Sequence, residues 1–257
     1  MRDFLEVLQE DAAKDPEQRA RELSRRELPK RFYKDAAHVA VDGGYAIHLD
    51  GRPVKTPGKT LLLLPNQALG SAVAAEWQAQ EKEINPANMP LTRIANSAQD
   101  AVSVRFDEVA DDITKFAGND ALCYRADDPD SLVETQRRLW DPVVDWAGDL
   151  LGGRFVLIEG LIHVPQSEQL LAAYRARIAD ETPLRLAALH TATSLTGSAL
   201  LALALKEGRL EADAVWAAAH VEEDFNIERW GADAEATQIR AYKRTEFDAA
   251  ALVLREG

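Results

Sequence analysis

A few groups of residues have the types and spacing that could carry chemistry. Gly58-Lys59-Thr60 has the closing letters of a phosphate-binding loop. Such a loop needs a glycine five positions earlier, free backbone N–H groups and a helix after it. Here the earlier position is Pro53, Pro57 stiffens the approach, and Leu61 to Leu64 continue as an apolar run. A connection between strands is therefore expected instead. His220, Glu223 and Asp224 form the densest set of acid, base and ligand-type side chains. Three apart on a helix, His220 and Glu223 share a face, so they could pass a proton in a small hydrolase or transferase, or only hydrogen-bond to each other. There is no Gly-x-Ser-x-Gly elbow, and Ser194, Ser198 and His190 lie within an apolar run, where a hydroxyl usually bonds back to the main chain. Cys123, the one cysteine, has no base beside it, so a buried structural thiol is expected. The five histidines are scattered without a His-Glu-x-x-His pair. No catalytic residue, cofactor or metal is expected.

The element that must position the His220 group is a helix over 212–230. At 100° per residue, Trp216, His220, Glu223, Ile227 and Trp230 fall within about 40° of one meridian. Ala214, Ala218, Val221 and Phe225 line the opposite side, with charges on the flanks. A helix apolar on two faces is either sandwiched or covers one face and offers the other. The small-residue face suits packing inside the protein. The face with two tryptophans has the mixed character of a partner-binding surface.

Before that helix, Val39 and Val41, then Tyr45, Ile47 and Leu49, alternate with polar neighbours, the period of half-buried strands. Gly43-Gly44 and Asp50-Gly51 fall where hairpin turns belong, and Thr60 to Leu64 reads as a further strand. Helical periodicity then takes over. Asn66 caps a helix carrying Leu69, Val73 and Trp77. Val102, Phe106, Val109, Ile113 and Phe116 make one face ending at Gly118. Ser131 and Glu134 form a capping box. Asp141-Pro142 kinks that helix or starts another, and Gly152-Gly153 stops it. A short hairpin is expected over 155–158 and 162–164, a helix capped by Ser167, an apolar helix from Thr182-Pro183 to near Gly208, and a last helix over 233–254. The fold class is α+β: a charged arm over 1–30, a small antiparallel β-rich domain over 31–95 and a larger helical domain over 96–257.

Thirty basic residues against 43 acidic ones give a net charge of −13. That opposes nucleic-acid binding, which needs a basic face, and favours partners with basic patches. The first thirty residues are charged throughout, with Asp3, Glu6, Glu10 and Asp11 among them, so neither a secretory signal nor a mitochondrial presequence is expected. The run from Leu186 to Leu205 has about the length of a membrane span, but it holds His190, four hydroxyl residues up to Thr196, and Ser198; a buried central helix is expected.

Several strings, in order from residue 31 to about 240, resemble the assembly chaperones of the F-type ATP synthase that attend its alpha subunit. They are Arg31-Phe32-Tyr33-Lys34, the stretch from Leu49 through Asp50-Gly51-Arg52-Pro53 to Pro57, and Glu76-Trp77 with Gln80. Met89-Pro90-Leu91-Thr92 with Ala95-Asn96, Cys123-Tyr124-Arg125-Ala126, Trp140-Asp141-Pro142 and the stretch Trp230-Gly231 to Ala236 complete the set. The resemblance implies a β-rich then helical fold and a soluble monomer that holds unassembled alpha before it joins beta. The lone cysteine and the charged N-terminus already lead us to expect a bacterial-type cytoplasmic setting; eukaryotic family members are mitochondrial. Val221 to Glu228 departs from the family pattern just before the Trp-Gly string, so Glu223, Asp224, Asp233 and Glu235 share the place of the family's functional acid. The expected partner-binding residues are Trp216, Glu223, Asp224, Ile227, Trp230, Asp233 and Glu235. A generic holdase without a preferred client is the blander alternative.

Overall fold

Alternation in residues 36–49 produces a hairpin of β1 (Ala36–Val41) and β2 (Gly44–Leu49), paired antiparallel from Val41↔Gly44 to Ala36↔Leu49. In the computed structural model, which describes residues 28–160 and 164–257, β2 also pairs with β3 (Arg52–Pro53) and β4 (Leu63–Leu64). The expected charged arm lies outside the described residues up to position 27. Gly44 is required where it stands: its φ is 149°, and a Cβ there would lie 2.3 Å from the Leu64 carbonyl oxygen. The expected strand over Thr60 to Leu64 shortens to its last two residues.

Helix α1 (Gln67–Gln78) packs Leu69 and Val73 against this sheet, and the Asn66 side chain accepts from the Leu69 N–H at 3.0 Å. Next come α2 (Pro90–Ser97), a π-helical turn over Ala98–Val102 and α3 (Phe106–Gly118). Val102, expected as the first member of the α3 face, thus belongs to the turn before it. Helix α4 (Asp130–Leu151) continues past Pro142 as one helix and stops at Gly152, whose φ is 77°. Its cap is Pro129, and Ser131 sits inside the first turn, so the expected capping box does not form. The chain pairs β5 (Tyr124–Arg125) with β6 (Ile158–Glu159) in parallel, in place of the expected hairpin; residues 161–163 lie outside the described set.

The C-terminal helices are α5 (Glu168–Arg177), α6 (Pro183–Thr196), α7 (Ala199–Lys206), α8 (Ala212–Ala219), α9 (Val221–Trp230) and α10 (Ala234–Glu256). The apolar run expected as one helix is two, because Gly197 takes a left-handed φ of 66° and Ser198 caps α7, accepting from the Leu201 N–H at 3.0 Å. No described helix is long and apolar enough to cross a membrane. Helix α6 is central, packed on α2, α3, α7 and α10. Leu200, Leu201 and Leu203 of α7 are fully buried, each contributing about 2 kcal/mol. The result is an N-terminal antiparallel sheet followed by a mostly helical part, the expected α+β architecture. The main apolar cluster joins Ile47 and Leu64 of the sheet, and Leu62 just before β4, to Leu254 of α10. The boundary expected after residue 95 falls inside α2, whose Ala95 belongs to that shared cluster.

Candidate partner-binding site

The helix expected over 212–230 breaks at His220, where φ is −113° and ψ is 21°. His220 turns its ring back onto the chain: Nδ1–H donates to the Trp216 carbonyl at 2.8 Å, and the two rings lie 3.9 Å apart. Trp216 and His220 are core residues, 7% and 8% exposed. Trp216 also packs on Phe247 of α10 at 5.4 Å, with the Arg244 guanidinium over it at 5.5 Å. Burial lowers the His220 pKa below its ordinary value, and the ring stays neutral at pH 7. Its Nε2 is 3.9 Å from Glu223, beyond hydrogen-bond reach. The acid–base pair that a hydrolase or transferase would need is therefore not assembled. Among the described residues, no cluster of His, Cys, Asp and Glu could hold a metal.

The single meridian dissolves at this break, and its members go separate ways. Glu223 and Asp224 face α10, where Arg240 meets Asp224 at 2.6 Å and Glu223 at 3.8 Å. Ile227 is half-buried. Glu222 accepts from buried Gln136 of α4 at 3.0 Å, and Trp140 donates to the Ala218 carbonyl at 2.7 Å, fixing α8 and α9 to α4. Trp230 ends α9 with 74% of its surface exposed. Gly231, at a φ of 84°, turns the chain. Asp233 then caps α10, accepting from the Ala236 N–H at 2.9 Å, and its carbonyl accepts from the Thr237 hydroxyl at 2.7 Å. Glu235 is exposed in the first turn of α10. The structure thus brings Glu223, Asp224, Ile227, Trp230, Asp233 and Glu235 to one corner between α9 and α10, and leaves Trp216 in the core.

The N-terminal strings have a different use. Asp50 accepts from the N–H groups of Lys34 and Asp35 at 3.1 and 2.9 Å. Arg31 donates to the carbonyls of Tyr33 and Lys34 at 3.0 and 2.6 Å, while the Tyr33 hydroxyl donates to the Trp77 carbonyl at 2.6 Å. Glu76 caps α2, accepting from the Leu91 N–H at 2.7 Å, the Thr92 N–H at 2.8 Å and the Thr92 hydroxyl at 2.7 Å. Burial still leaves its pKa above the usual carboxylate value. Asp100 accepts from Thr56 at 2.6 Å and from the Gly58 N–H at 2.7 Å, so the Gly58-Lys59-Thr60 loop gives its donor to the protein itself. Arg125 pairs with Asp141 at 2.6 Å and stacks over Trp140 at 5.4 Å, which makes two of the strings one contact.

Of two buried groups here, Cys123 is the buried thiol expected from the sequence, and Asp120 carried no sequence signal. Asp120 is fully buried and accepts from Ser198 at 2.7 Å, the Leu200 N–H at 2.8 Å and the Leu122 N–H at 3.0 Å, which ties the turn before β5 to the start of α7. Burial pushes its pKa up to about 6. Cys123 is wholly inside, and burial, with Asp120 nearby, pushes its thiol up to about 12.

The chain thus combines a sheet that braces a helical body with an acidic corner bearing an exposed tryptophan. The model of the ATP12 chaperone protein family matches residues 30–148. The crystal structure of Atp12 from Paracoccus denitrificans is 40% identical, covering 88% of this chain and 97% of that one, with a TM-score of 0.80. The Atu1473 protein of Agrobacterium tumefaciens is 46% identical, covering 99% and 96%, with a TM-score of 0.85. Mitochondrial protein atp12 of Schizosaccharomyces pombe is 22% identical over 222 residues, 82% of this chain and 76% of that protein. The chain belongs to the ATP12 chaperone family.

Proposed function

We propose that the chain is an assembly chaperone of the F-type ATP synthase that binds the unassembled alpha subunit and hands it on for pairing with beta. Family membership supports the chaperone class, and the exposed Trp230 on the α9–α10 corner is the observation that carries binding. An unassembled subunit exposes an interface that aggregates or self-associates unless it is covered. A large aromatic side chain held in water on a folded surface is the feature that such covering uses. Asp233 and Gly231 fix the corner's backbone, so Trp230 is presented with little ordering still to be done. The working unit is a monomer without a cofactor, in the bacterial cytoplasm. In the direct test, purified chain is mixed with isolated alpha subunit. The expected result is suppressed light scattering and a 1:1 complex on size exclusion; aggregation unchanged and no complex would refute the reading.

A further inference from the structure

The surroundings of Trp230 set the chemistry of the client segment. Residues 228–238 are exposed without a break. Between residues 221 and 240 stand six carboxylates, from Glu222 to Glu235, against the two guanidiniums of Arg229 and Arg240. Neither guanidinium serves Trp230: Arg229 stacks on Phe225 at 4.8 Å, and Arg240 is held by Asp224 at 2.6 Å. Among the described residues, no ring and no cation lies on the indole. An open indole face in a negative field is most strongly complemented by a cation laid flat on it.

Resting on the reading above, the geometry points to the α9–α10 corner as a dock for a basic segment of the client, with an arginine side chain stacked on Trp230 and the corner's carboxylates facing its guanidinium. Other occupants fit worse. A wholly apolar segment would desolvate carboxylates without pairing them. A second copy of this chain would set one acidic corner against another. Arginine suits the site better than lysine because its planar guanidinium stacks and also forks onto carboxylates.

The test uses the full chain, with Trp230→Ala and Glu228→Lys, each checked for unchanged circular dichroism and thermal midpoint. The binders are isolated alpha subunit and three peptides of about twelve residues: alternating Arg-Leu, Glu-Leu and Ser-Leu. Wild type should lose alpha affinity severalfold as salt rises from about 50 to 300 mM. Each variant should lose at least about tenfold at low salt, and only Arg-Leu should bind wild type. Equal, salt-independent binding of alpha to all three proteins would overturn this inference and leave the proposed function standing. If alpha binds none of them, the function falls, and the peptides decide this inference alone: Arg-Leu binding lost in Trp230→Ala upholds it, and no binding overturns it. Ser-Leu binding as tightly as Arg-Leu, or a concentration-dependent dimer dispersed by Trp230→Ala, would also overturn it in favour of an apolar segment or a second copy.

Discussion

At the sheet end and in the helical interior, Asp50, Glu76, Asp100 and Asp120 turn their oxygens onto the chain's own N–H and O–H groups. At the α9–α10 corner, Asp233 caps a helix and Asp224 holds Arg240, yet Glu228 and Trp230 stand in water. Both regions supply strings by which the family is identified. In the first, such strings record what the fold needs to close; in the second, the string begins at a tryptophan held in water. Resemblance alone cannot sort these two kinds, but the direction in which each carboxylate points does.

Substitutions should separate the regions by stability. Asp120→Ala strands three buried donors and should have the largest effect, about 3 kcal/mol or more in urea denaturation. The same group gives a pH signature. Its folded pKa of about 6 lies above the ordinary carboxylate value near 4, so the folded chain keeps a proton that the unfolded chain releases. Its contribution is therefore fully present below about pH 4 and lost as pH rises through about 6. Stability measured across that window should fall more steeply with pH in wild type than in Asp120→Asn; parallel curves would contradict the assignment.

Glu76→Ala should cost about 2 kcal/mol, because α2 loses its cap. Asp100→Ala, which frees the Gly58 loop, should cost about 1 kcal/mol. Trp230→Ala should change stability by no more than about 0.5 kcal/mol while weakening the alpha complex. If Trp230→Ala destabilised the chain as much as Glu76→Ala does, the contrast between the two regions would collapse.

Much of the fold is legible in the residues. Alternation from Val39 to Leu49 marks the hairpin, and Asn66, Thr182-Pro183 and Gly152 mark helix ends, because each acts on its immediate neighbours. The breaks at Gly197 and His220 are hidden. From Thr196 to Ala204 every residue but Gly197 is buried, so no periodicity marks the break there, and the restart at Ser198 leans on Asp120, distant in sequence. His220 breaks a helix through a ring-to-carbonyl bond that has no spacing signature. That break puts Trp216 in the core while Trp230 stays out. Five of the expected partner residues still share the corner with Trp230, since most of them lie within or just past α9.

Cys123 gives this molecule a built-in clock. A lone buried thiol whose proton is held so tightly cannot be alkylated in the closed fold. Each labelling event must wait for the segment between α3 and α4 to open. Its rate under native conditions therefore reports how often the centre breathes. Labelling with and without a client would show whether occupying the α9–α10 corner quiets the interior.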